Sequence, residues 1–102
     1  MKIGELFIDE NTGKVLKNGE LLSLTATESA IVQYLAKNKN EIITRQQIYE
    51  NLWQEDSYGC DNSIMVHISH LRDKLESDPR KPRYIRTLKG MGYMMVNPDD
   101  CQ

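Results

Sequence analysis

The stretch from Asp61 to Glu76 most limits what this chain can become. Ile64, Ile68, Leu71 and Leu75 follow one another at helical intervals, the narrow apolar stripe of a helix laid on a core. Asp61 is placed to accept hydrogen bonds from the first free amides, as an N-cap does. Ser77-Asp78-Pro79 ends the helix, because a proline disfavours helical geometry in the residue before it. Off the stripe, Ser63, Val66, His67 and His70 fall on one side, and Asn62, Ser69 and Arg72 on the other. These faces hold short polar groups, two imidazoles and a cation, with no clear apolar partner. Such a helix buries one face in a small core and offers the other to something polar.

A length of 102 residues fits one small domain. It allows a modest core but no deep catalytic cleft between lobes. The longest apolar runs are a few residues, so no segment spans a membrane. Met1-Lys2-Ile3-Gly4-Glu5 lacks the apolar core of a signal peptide. Cys60 and Cys101 stand far apart and read as reduced thiols of a cytoplasmic protein. The net charge of −2 by itself argues against a nucleic-acid partner, but its distribution changes that. Residues 1–61 hold six basic and ten acidic side chains, whereas residues 62–96 hold seven basic and three acidic. The basic segment is either a solvated surface or the docking face for a local anionic partner.

The N-terminal quarter reads as short antiparallel strands. Leu6-Phe7-Ile8 is an apolar run that ends in the turn-rich Asp9–Gly13. Lys14–Lys17 leads into Asn18-Gly19, a hairpin signal because both residues tolerate positive φ. Leu22-Ser23-Leu24 alternates as the returning strand, and Ile3 pairs from a strand of its own. Thr25-Ala26-Thr27-Glu28 matches a capping box that opens a helix to about Lys37. Thr44-Arg45-Gln46-Gln47 is a second capping box, and its helix runs through Ile48, Leu52 and Trp53. A polar loop, Gln54–Cys60, leads to the helix described first. The basic loop Arg80–Arg83 then precedes a predicted hairpin, Tyr84–Leu88 and Tyr93–Val96, closed by Lys89-Gly90-Met91-Gly92. The last residues, 98–102, read as a frayed tail after a domain of residues 1–97.

Four segments stand in order: Leu24-Thr25-Ala26-Thr27-Glu28, then Trp53, then Val66–Leu75, then Ile85–Tyr93. Together they resemble the winged-helix output domain of OmpR/PhoB-type two-component response regulators, over about Ile3 to Val96. The resemblance implies an α+β fold with an N-terminal antiparallel sheet, three helices and a C-terminal β-hairpin wing. It implies a non-enzymatic, sequence-specific binder of double-stranded DNA, with two copies on tandem sites. It also implies a receiver domain ahead of this one. None is present in the chain, so an isolated output domain is expected; a membrane anchor in the receiver's place is the variant.

In the resembling family the third helix enters the major groove and the wing approaches the minor groove. Ser63, Val66 and His70 would then face base edges, where a valine packs on a thymine methyl and a histidine donates or accepts at a purine. Asn62, His67, Ser69 and Arg72 would tend toward phosphates, with Trp53 and Thr87 also reaching the backbone. Tyr93 would either place its hydroxyl on a phosphate or pack half-buried. The wing contributes Arg86, Lys89 and Gly90. Ser69-His70 stands where an Arg-Arg pair is common, and Met65 where Asp is common. The missing guanidiniums remove bidentate guanine readout and phosphate charge.

Other chemistry is poorly supported. His67, His70 and Cys60 would be a three-ligand zinc set, but no fourth ligand is in range, and no cofactor is expected. No Ser, His and acid constellation stands out, and the glycines around Gly90 do not precede a helix as a phosphate loop would. The competing reading is a winged-helix protein-interaction module, with RNA polymerase at Gln54–Cys60 and only weak, non-specific DNA binding.

Overall fold

The computed structural model describes residues 1–52 and 60–99, with the side chains of 60–63 left aside. Trp53, the loop of residues 54–59, the side chains of Asn62 and Ser63, and residues 100–102 therefore lie outside the description. The chain begins with four short strands, β1 (Lys2–Ile3), β2 (Leu6–Ile8), β3 (Val15–Lys17) and β4 (Glu20–Leu21), antiparallel in the order β1-β2-β3-β4. Leu6, Ile8 and Val15 point inward and are buried. Alternation puts Phe7 on the outer face, where it pairs with Leu16, which in turn pairs with Leu21. Asn18 and Gly19 have φ of 52° and 85°, the left-handed pair that a two-residue hairpin turn requires. Pairing therefore resumes at once with Glu20 opposite Lys17. The returning strand is Glu20–Leu21 rather than the expected Leu22–Leu24. Leu22 still donates to the Val15 carbonyl at 2.9 Å, and the chain then turns to place Thr25 at the head of the first helix.

Helix α1 (Ala26–Lys37) is closed by the expected capping box. Its Glu28 N–H donates to Thr25 Oγ1 at 3.1 Å, and the Thr25 N–H donates to Glu28 Oε1 at 3.0 Å. Helix α2 (Arg45–Leu52) repeats the device with Thr44 and Gln47, at 3.0 and 2.8 Å. Helix α3 (Cys60–Leu75) begins one residue before Asp61, so Asp61 stands in its first turn instead of preceding it. Strands β5 (Ile85–Leu88) and β6 (Gly92–Met95) form the hairpin.

Ile31, Val32 and Leu35 of α1, Ile48 of α2, and Ile64, Ile68, Leu71 and Leu75 of α3 meet in one core. The sheet residues Ile3, Leu6 and Ile8 and the hairpin residues Ile85 and Met95 close it from two sides. The hairpin gains a third partner from the α1–α2 link. Ile43 and Tyr93 exchange backbone hydrogen bonds of 2.8 and 2.9 Å, and the Asn40 N–H donates to the Met95 carbonyl at 2.9 Å. Gly92 makes this approach possible. Its φ is +150°, and a Cβ there would collide with the Ile43 carbonyl oxygen and stand 2.8 Å from Thr44 Cα. Gly92→Ala is expected to lower stability by about 2 kcal/mol, measured by urea unfolding, with the loss traced to the hairpin by amide exchange.

Candidate nucleic-acid interface

Two neighbours set the orientation of α3. On one side is α1, which offers the buried carboxylate of Glu28. Lys74 donates to Glu28 Oε1 at 2.6 Å, and His70 Nδ1 lies 4.0 Å from Glu28 Oε2. Burial pushes this carboxyl upward, but the Lys74 bond, the Thr25 amide and the nearby positive charge outweigh it and hold it below its ordinary value. On the other side is the hairpin. Arg72 donates to the Ile85 carbonyl from Nε (3.2 Å) and Nη2 (2.8 Å), and from Nη2 to Thr87 Oγ1 at 2.6 Å. Its guanidinium carbon lies 5.9 Å from the centre of the Tyr93 ring, within cation–π range. Burial draws the Arg72 pKa down, yet a guanidinium remains charged.

One turn further, Glu76 is buried and accepts from the N–H groups of Arg83 (2.7 Å), Tyr84 (3.0 Å) and Ile85 (2.9 Å). Ile85 therefore gives both its backbone groups to side chains of this helical segment, while the Val96 N–H reaches Tyr84 O at 2.9 Å on the other edge of the strand. Lys17 completes the frame, its ammonium donating to the Leu75 carbonyl at 2.8 Å. A cation at a helix C-terminus satisfies a free carbonyl and is attracted to the negative end of the helix dipole.

What α3 leaves outside is a mixed face. Met65, Val66, Ser69 and His70 are exposed and His67 is half-buried. Asp73 is exposed too, a carboxylate on this face to which the sequence reading gave no role. Arg72 and Tyr93 are not free-standing groups: the first braces the hairpin, and the second is buried beneath it with 6% of its surface exposed. Thr87 stands on the hairpin face turned to α3, and Arg86 on the opposite face. There Arg86 lines an open groove with Arg83, Asn40 and Val96. The wing tip is Lys89-Gly90, both exposed, closed by the Met91 N–H on the Leu88 carbonyl at 2.8 Å. Gly90 takes a φ of +78°, as the third residue of a type II turn does. Among the described residues no group of three metal-binding side chains comes together.

Sequence reasoning gave no role to Glu76 or Lys74 and saw Glu28 only as a cap. A clue existed for Glu76: an acid at a helix C-terminus opposes the dipole, so its presence signals another partner.

Residues 10–95 match the family described as transcriptional regulatory protein, C terminal. The chain belongs to this family. The family's members of OmpR/PhoB type are DNA-binding domains of transcription regulators, not enzymes. The chain is 43% identical over 95 residues to the uncharacterized transcriptional regulatory protein YcbL of Bacillus subtilis, covering 93% of this chain and 42% of that one. It is similar to the response regulator DrrB of Thermotoga maritima, an OmpR/PhoB homolog, with a TM-score of 0.87, 31% identity, and coverage of 94% and 43%. It is also similar in fold to the RstA DNA-binding domain of Klebsiella pneumoniae, solved in complex with the RstA box, with a TM-score of 0.85, 30% identity, and coverage of 95% and 96%. The chain spans between 37% and 42% of the length of curated relatives such as YcbL and YvrH. No described helix is long and apolar enough to cross a membrane.

The frame around α3 can be tested at both of its sides. Because Glu28 binds its proton less tightly folded than unfolded, its contribution is present above the ordinary value of 4.5 and is lost as pH falls through the lowered folded value. Glu28→Gln should therefore be less stable than the native chain at neutral pH, and the gap should close on acidification below 4.5, followed by urea unfolding at stepped pH. Arg72→Lys keeps the charge but not the planar fork. It should lower stability by about 1 kcal/mol and speed amide exchange within Ile85–Leu88.

Proposed function

We propose that this domain binds double-stranded DNA sequence-specifically as the output domain of a cytoplasmic transcription regulator, with α3 in the major groove and the wing tip at the minor groove. The observation that carries the reading is the exposed face of α3, held at a fixed angle between Glu28 of α1 and the hairpin, with the Lys89 tip beyond it. A helix with its side chains is about as wide as the major groove. Its outward residues then meet base edges while a basic tip meets phosphate.

Val66 and His70 are the base-reading groups, with Ser63 beside them on the sequence pattern. Asn62, His67 and Ser69 take phosphates or sugars, as do Trp53 and the hydroxyl of Thr87. Arg72 holds the wing at its angle to α3 and adds its charge to the same edge, and Tyr93 supports it from below. Lys89 and Gly90 approach the minor groove, and Arg86 adds charge from the far face of the hairpin. Binding of two copies to tandem sites, and contact with RNA polymerase through Gln54–Cys60, rest on the family resemblance. Support for DNA as the partner comes from the similarity to the RstA domain, which was solved on its DNA box.

The experiment is selection from a random duplex pool, then salt titration of the enriched duplex against a scrambled one. Specific binding should exceed scrambled binding and weaken as salt rises. Lys89→Ala should weaken both and reduce the salt slope by about one unit. His70→Ala should relax preference at one base position by about 1–3 kcal/mol. Equal, weak binding of the native domain to both duplexes would favour the protein-interaction module instead.

A further inference from the structure

The exposed face of α3 carries two adjacent large apolar side chains. Met65 is 49% exposed and Val66 is 51% exposed. The core is already filled from this helix by Ile64 and Ile68, so neither residue serves it. Single exposed apolar residues are ordinary on protein surfaces. These two are neighbours on the face assigned to base reading, and they point along different rows of it.

Val66 shares its row with His70, one turn on. Met65 shares its row with Ser69 and leads toward Arg72. With Ser69, Arg72 and Thr87 it lines the cleft between α3 and the hairpin. This is the side of the helix nearer the wing, otherwise furnished with polar groups and a cation suited to phosphates. A thioether gains nothing against a phosphate oxygen. Against a base edge it has one clear match, the C5-methyl of thymine, which is the major groove's apolar feature. Methionine is unbranched and polarizable, so its end can follow that methyl where a shorter side chain from this row would fall short.

We propose that Met65 is a specificity-determining residue that packs its thioether on the C5-methyl of a thymine on the wing side of the major groove, separate from the thymine met by Val66. This rests on the DNA-reading function proposed above. It makes the preferred half-site one with thymines met from both rows of α3, read by apolar contact on a face that lacks guanidiniums at Ser69 and His70.

The test separates this inference from the function beneath it. The probe is the duplex enriched from the random pool, with each thymine replaced in turn by uracil, which removes only the C5-methyl. The native domain should lose about fourfold in affinity at each of two thymines, the worth of one buried methyl group. Met65→Gln, which keeps the length and the helix preference, should abolish the penalty at one of them. Val66→Ala should abolish it at the other. A uracil profile identical in the native domain and Met65→Gln would overturn the inference, as would an enriched duplex that binds specifically with no uracil penalty; in both cases DNA reading stands. If the native domain enriches no sequence, the function and the inference fall together.

Discussion

The position of the wing depends on two charged side chains one helical turn apart, Arg72 and Glu76. A strand at the edge of a sheet carries backbone groups that no neighbour pairs. In β5 the buried ones are those of Ile85, with the N–H of Tyr84 and Arg83 just before it. Arg72 supplies donors to the Ile85 carbonyl, and Glu76 supplies an acceptor to the three amides. The helix thus stands in for the missing strand. Removing either partner leaves a buried charge or buried backbone groups unpaired, which is far more costly than the loss of one surface bond. A solvent-facing ion pair at this spacing would contribute a few tenths of a kcal/mol; these two groups join separate elements instead.

The same pair marks where the sequence stopped being legible. Local signals were readable because they depend on neighbours in the chain. Asn18-Gly19 needed only positive φ, the two capping boxes only a hydroxyl and a side-chain acceptor three residues on, and the α3 stripe only a helical period. The stripe of Ile64, Ile68, Leu71 and Leu75 predicted the buried face of α3 among its described side chains. The expected phosphate-facing role of Arg72 came from its place on the outward helix surface. Its engagement with Ile85 could not be read, because the spacing says nothing about which strand arrives beside it. Glu28 shows the same limit. Its cap on Thr25 is local, but its bond to Lys74 joins residues far apart in the chain. The strand expected at Leu22–Leu24 failed for a different reason: the tight turn brought the pairing forward, and the helix cap claimed the residues that followed.

The charge pattern also changes meaning once folded. The basic half of the chain does not form one continuous surface. Arg72 is bonded within the frame and Lys74 is held by Glu28. Arg83 and Arg86 line the groove on the hairpin face away from α3, while Lys89 stands alone at the tip. The outward face of α3 itself holds imidazoles, a hydroxyl, two apolar groups and the carboxylate of Asp73. Such a face is furnished for fit and hydrogen bonding more than for long-range electrostatic attraction.

Gly90 and Gly92 lie two residues apart and answer opposite demands. Apart from its chain neighbours, no atom of the described residues stands within 4 Å of where a side chain at Gly90 would begin, whereas Gly92 is pressed against the backbone at Ile43 and Thr44. The first residue of β6 is therefore locked to the body of the domain, while the turn just before it is open among the described residues. The open tip can therefore be lengthened or recharged without disturbing the contacts that fix β6 against Ile43 and Thr44. A fold divided in this way confines change in length and charge to the turn and keeps it out of the packed hairpin.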